Sequence, residues 1–132
     1  MVSLKDIAAS ITDAELVVLQ QLWAEAPLTA QEIIERLDRH GTVHPKTIKT
    51  LINRLLNKGA LRYNEDTRKY RYMPALKKSD FYRYRTEAFL NKFFDGQVSP
   101  LVTFFSSQKK LSEKDIAELR QLVDKLEADK ND

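Results

Sequence analysis

His44-Pro45-Lys46-Thr47-Ile48-Lys49-Thr50-Leu51-Ile52-Asn53-Arg54-Leu55-Leu56-Asn57-Lys58-Gly59 reads as a short helix with two different sides. Ile48, Leu51, Ile52 and Leu55 recur at i, i+3, i+4 and i+7, the spacing of a stripe that packs on a core. At ~100° per residue, Lys46, Thr50, Asn53 and Asn57 fall on the opposite face, flanked by Thr47, Lys49 and Arg54. That face offers hydrogen-bonding and cationic groups and no carboxylate. Pro45 suits a first helical position and Gly59 the residue just past the end. A carboxylate-free polar face on a packed helix suits the major groove of double-stranded DNA.

Upstream, two capping boxes announce two more helices. Thr12-Asp13-Ala14-Glu15 places a hydroxyl at the cap and a carboxylate three residues on, and Thr29-Ala30-Gln31-Glu32 repeats the device. The first helix is expected to run to about Glu25, burying Leu16, Leu19, Leu22 and Trp23. The second buries Ile33, Ile34 and Leu37 and stops before Gly41. Three short helices with a basic third one predict a helix-turn-helix.

After Gly59 the period changes to alternation. Leu61-Arg62-Tyr63-Asn64 and Lys69-Tyr70-Arg71-Tyr72 flank a polar tip at Glu65-Asp66-Thr67-Arg68. Leu61, Tyr63, Tyr70 and Tyr72 then share one face, and Arg62, Lys69 and Arg71 the other. A β-hairpin wing with a cationic side, suited to phosphate contact, completes a winged helix.

Charge is segregated along the chain. Residues 1–39 carry three basic and seven acidic groups, whereas residues 40–73 carry eight basic and two acidic. Such a stripe draws a polyanion, with an affinity that falls steeply with salt. The 132 residues hold no cysteine, which removes disulfides, cysteine-ligated metals and thiol switches. No apolar run approaches the ~20 residues that span a bilayer, and the N-terminus lacks a signal-peptide pattern. A cytoplasmic protein with no membrane insertion is expected.

Eleven of the twelve aromatic residues lie between Tyr63 and Phe105. Ser79-Asp80 is expected to cap a fourth helix on which Ala88, Phe89, Leu90, Phe93 and Phe94 cover too much of the circumference for a surface element. Gly96 and Pro100 interrupt, and Leu101-Val102-Thr103-Phe104-Phe105 continues as a short helix or extended segment. Ser112-Glu113-Lys114-Asp115 caps a last helix bearing Ile116, Leu119, Leu122, Val123 and Leu126, with Asp129 to Asp132 expected to fray. The expected fold is mainly α with a small β-hairpin wing. Residues 1–75 form a winged helix-turn-helix DNA-binding domain, and 76–132 a helical dimerisation domain. Phe81, Phe89, Phe93, Phe94, Leu101, Leu119 and Leu122 are the expected dimer contacts. A twofold dimer would present its reading helices to half-sites ~34–36 Å apart.

Over residues 10–127 the chain resembles the penicillinase-repressor (BlaI/MecI) family of winged-helix regulators. The resemblance is carried by Ile11-Thr12-Asp13-Ala14-Glu15, by Leu22-Trp23, by Pro45 through Leu55 with Lys58-Gly59, and by Leu111-Ser112 with Ile116-Ala117-Glu118-Leu119. It implies a homodimer that represses transcription from a dyad operator, typically with TACA/TGTA arms. It also implies operator contacts at Lys46, Thr47, Thr50 and Arg54, with wing residues on the backbone. Asn53 as a base reader and Lys49 as a phosphate contact come from the face assignment instead. The resemblance further implies release by proteolysis, triggered indirectly by a membrane sensor-protease. Aligned on Leu111-Ser112, the clipped bond falls on Phe104-Phe105, with Phe104 standing where the family has asparagine. A family branch that senses copper through C-terminal cysteines is excluded, because this chain has none.

Other functions leave weaker marks. Gly41 and Pro45 keep His40 and His44 from sharing a helical face, so no metal pair is expected, and His44 reads as a cap or phosphate contact. With no Gly-rich phosphate loop and no arranged nucleophile, neither an enzyme nor a cofactor is expected. Asp13, Glu15, Glu32 and Glu35 read as caps and solvated helix faces. One alternative is a ligand-responsive regulator whose pocket is lined by Phe81, Tyr82, Tyr84 and Phe89. Another is a winged helix that binds protein and no DNA.

Overall fold

The structure, a computed structural model, describes residues 2–38, 44–66 and 68–131. Its elements run α1 (Leu4–Ser10), α2 (Asp13–Ala24), β1 (Leu28–Thr29), α3 (Ala30–Asp38), α4 (Pro45–Lys58), β2 (Leu61–Asp66), β3 (Lys69–Pro74), α5 (Lys78–Phe94), α6 (Val98–Ser107) and α7 (Glu113–Lys130). The sheet is antiparallel in the order β1-β3-β2. Helix-turn-helix and hairpin together make the winged helix that the sequence predicts. α1 and the two-residue strand β1 have no counterpart in the sequence reading. His40 and the Gly41 stop lie outside the described residues.

Local chemistry sets the element ends. Thr12 and Glu15 close a full capping box, and Thr29 and Glu32 exchange the same two bonds at 3.0 and 3.1 Å. At the far end of α4, Gly59 adopts φ +83, and the amides of Gly59 and Ala60 reach back to the carbonyls of Leu56 and Leu55. This is the Schellman arrangement, which favours a glycine because a Cβ is strained in the left-handed region. Ser79 and Asp80 do not cap α5: the helix starts earlier, at Lys78, and both lie in its first turn. At the C-terminus, Asp129 and Lys130 remain helical where fraying was expected.

The core of the first unit is built where the periodicity put it. Ile33, Ile34 and Leu37 of α3 meet Ile48, Leu51, Ile52 and Leu55 of α4, with Val18, Leu19 and Leu22 of α2 beneath them. Leu16 and Trp23 pack against this cluster only partly buried. A fully buried leucine here contributes on the order of 1.5–3 kcal/mol relative to exposure.

The chain divides into two compact units, Met1–Thr86 and Glu87–Asp132. The expected boundary near residue 75 therefore shifts into α5. The physical reason is the start of that helix. Phe81 is 5% exposed, with its ring 5.5 Å from that of Trp23, and the Trp23 indole N–H donates to the Leu76 carbonyl at 2.9 Å. Arg85 adds a bond to the Ile11 carbonyl at 2.9 Å and lies over the Phe81 ring. Phe81 thus belongs to the core of the first unit, and its expected role as a dimer contact is corrected.

The second unit has a different character. Neither α6 nor α7 contains a buried residue, and Phe89, Phe93, Phe104, Phe105, Ile116, Leu122, Val123 and Leu126 are all exposed. Leu101 and Leu119 are half-buried. Phe89, Phe93, Phe94 and Phe104 line an apolar hollow of about 450 Å³.

Candidate nucleic-acid interface

α4 presents the face that its sequence specifies. Lys46, Thr47, Lys49, Thr50, Asn53 and Arg54 are all exposed, opposite the buried Ile48, Leu51, Ile52 and Leu55. Among the described residues, none of Lys46, Lys49, Asn53 and Arg54 has a side-chain hydrogen bond or ion pair to occupy it. The Thr50 hydroxyl donates to the Lys46 carbonyl at 3.2 Å, which leaves its oxygen to accept and its methyl for apolar contact. The face can therefore donate to phosphates and base edges without first breaking protein contacts.

The start of α4 is electropositive by construction. Its first turn holds Pro45 and no acidic residue, so no carboxylate of that turn offsets the positive pole of the helix dipole. His44 is the cap: its Nδ1 accepts from the Lys46 amide at 3.1 Å. Capping, one of the two roles read for this histidine, is what the structure displays.

The opposite end of α4 is anchored by charge. Lys58 Nζ donates to Glu15 Oε1 at 2.5 Å and to the Ser10 carbonyl at 2.6 Å. Glu15 is buried, which corrects its reading as part of a solvated face. Burial pushes its carboxyl up. The Lys58 hydrogen bond, the Thr12 amide and the Lys58 charge outweigh that and hold it below the usual carboxylate range.

On the wing, Arg62, Lys69 and Arg71 lie together on one face of the hairpin, as their alternation predicts. Arg62 and Lys69 are exposed, whereas Arg71 is half-buried. The Glu32 carboxyl is lowered first by the Thr29 amide and hydroxyl and then by the charges of Arg71 and Arg36. The tyrosines take the other face, where burial and then Tyr70 and Tyr63 push the Tyr72 phenol up. Their position beside α4 gave no signal in the alternation, because a strand pattern specifies a face and not its neighbour.

The remaining expected sites are dispersed. Phe104 and Phe105 lie inside α6, near its C-terminal end. Of the aromatic set proposed for a ligand pocket, Phe81 is buried on Trp23, while Phe89 lines the hollow of the second unit. No cluster among the described residues can hold a metal, and no described helix is long and apolar enough to cross a membrane.

Comparison with known proteins matches residues 11–125 to the penicillinase repressor family. The chain is similar to the penicillinase repressor of Bacillus licheniformis, with 35% identity over 86% of this chain and 89% of that one. It is also similar to the methicillin resistance regulatory protein MecI of Mammaliicoccus sciuri, with 33% identity over 87% and 94% of the two chains. A crystal structure of MepR, a transcription regulator of the Staphylococcus aureus multidrug efflux pump MepA, shares the fold alone. Its TM-score is 0.50 at 20% identity, over 96% of this chain and 89% of that one. With the family match spanning the wing, helix α4 and most of the second unit, the chain belongs to the penicillinase repressor family, a family of transcriptional repressors and not of enzymes.

Proposed function

We propose that the chain acts as a homodimer in the cytoplasm, closing a dyad operator to transcription. The observation that carries this reading is the outer face of α4, where six exposed polar and cationic side chains stand without a carboxylate on a helix fixed at both ends. Lys46 and Thr47 lie in its first turn, where backbone amides and the helix dipole also favour phosphate. Thr50 and Asn53 are the base readers: a threonine methyl meets a thymine methyl, and an asparagine amide pairs with adenine. Lys49 and Arg54 flank them as phosphate contacts. Arg62, Lys69 and Arg71 add positive charge along the wing.

The dimer is supported by the second unit, whose helices α6 and α7 contain no fully buried residue in a single chain. Large apolar surfaces of this kind are typical of obligate partners. Phe89, Phe93, Phe94, Leu101, Leu119 and Leu122 are the proposed contacts. The test is binding to duplex DNA at several salt concentrations. Log affinity is expected to fall linearly with log salt and to be stronger for a dyad than for random sequence. Salt-independent binding would refute the reading.

A further inference from the structure

The wing has two faces, and its register decides which of them meets the reading helix. Tyr63 pairs with Tyr72 and Glu65 with Tyr70, so the three tyrosines share one face, while Arg62, opposite Met73, and Arg71, opposite Asn64, share the other. The tyrosine face is the one beside α4: Tyr63, Tyr70 and Tyr72 line a single hollow with Asn53 and Leu56. Tyr63 and Tyr70 are 53% and 50% exposed, and their rings meet edge-on at 4.9 Å. Neither hydroxyl has a hydrogen-bond partner among the described residues. Two half-exposed phenols are thus held in fixed relation, with their polar ends unused, beside a cationic helix.

We infer that this tyrosine face holds one sugar-phosphate strand of the bound duplex, the rings lying along deoxyribose and the hydroxyls of Tyr63 and Tyr70 donating to phosphate oxygens. The inference rests on the DNA-binding reading above and adds contacts that the charge pattern does not reveal. Continuity favours DNA as the occupant. Asn53 borders this hollow and also a second one lined by Lys49, Ile52 and Tyr72, so the groove runs into the reading face without crossing a carboxylate of α4. Glu65, opposite Tyr70, shares this face, and its charge opposes phosphate beside Tyr70 more than beside Tyr63. Arg62 and Arg71, on the far side of the hairpin, then act through the field they create and not by contact.

Neutral donors have a signature that cations lack: they add affinity but release no counterions. The full chain is used to enrich duplexes from a random-sequence pool, and affinity for the enriched duplex is measured across a range of salt. The Tyr63→Phe/Tyr70→Phe double variant keeps both rings and is expected to unfold at the wild-type temperature. Its affinity should fall about tenfold or more, with the slope of log affinity against log salt unchanged. Lys46→Ala should instead reduce that slope by about one. Unchanged affinity in the double variant, with Lys46→Ala still weakened, would overturn the tyrosine assignment and leave the DNA-binding reading standing. Enrichment of no duplex, or no effect of Lys46→Ala, would overturn the DNA-binding reading and with it this inference.

Discussion

Lys58 Nζ stands 2.5 Å from Glu15 Oε1, tying the last turn of helix α4 to the first turn of α2. The carboxylate is 1% exposed and also accepts from the Thr12 amide at 2.9 Å, while the same ammonium donates to the Ser10 carbonyl. One charge pair, its carboxylate buried and its ammonium partly exposed, therefore joins α4, α2 and the end of α1. It lies at the opposite end of α4 from Lys46 and Thr47, so it anchors the helix without touching its exposed polar face.

That pair makes stability depend on pH. A carboxyl whose folded pKa is lowered contributes its full stability above its unfolded value and loses it as the pH falls through the folded one. The Glu15 carboxyl is lowered from 4.5, so stability should decline as the pH drops below that value. Glu15→Gln should be less stable at neutral pH and should lack this part of the decline, as measured by urea unfolding. Lys58→Met leaves a buried carboxylate unpaired and should cost about 3 kcal/mol.

Base readers and backbone contacts separate by how their loss is distributed. Asn53→Ala should remove about 1–3 kcal/mol of discrimination at one base pair per half-site, while binding to other sequences changes little. Competition binding with single-base operator variants measures this. Uniform weakening on every sequence would place Asn53 on the backbone instead.

Phe93 is 60% exposed and lines the apolar hollow of the second unit. Phe93→Asp would put a carboxylate into the proposed dimer interface, a cost of roughly several kcal/mol. Sedimentation equilibrium should show monomers at concentrations where the wild type is dimeric, with the helical content of the chain retained. An unchanged mass would remove Phe93 from the interface.

The Phe104-Phe105 bond lies within α6, where the Gln108 amide bonds the Phe104 carbonyl at 3.2 Å and the Lys110 amide the Phe105 carbonyl at 3.1 Å. A protease binds its substrate extended, so α6 must unwind before this bond is cut. Limited chymotrypsin digestion should therefore spare it at dimer-forming concentrations and cut it faster after Phe93→Asp. Equal rates in the two proteins would show that α6 opens independently of the dimer.

Helix α4 was legible because three signals agree within one stretch: an apolar stripe, a proline-glycine frame and a polar reverse face. The capping boxes were legible for the same reason, being short patterns with local physics. Phe81 was misread because an aromatic next to others on one helix looks alike whether it packs on its own unit or on a partner. Only Trp23, far away in sequence, decides the matter. Glu15 was half legible. Its capping role is local, but its burial depends on Lys58, 43 residues away. The strand β1 is two residues long and carries no periodicity at all.

The central claim is a dimer reading a dyad, and genomic footprinting of the full chain tests it most directly. The expected result is a set of protected sites sharing two inverted arms about one helical turn apart, with protection lost in Lys46→Ala. Protection of unrelated sequences with no shared dyad, or the same footprint from Lys46→Ala, would contradict it.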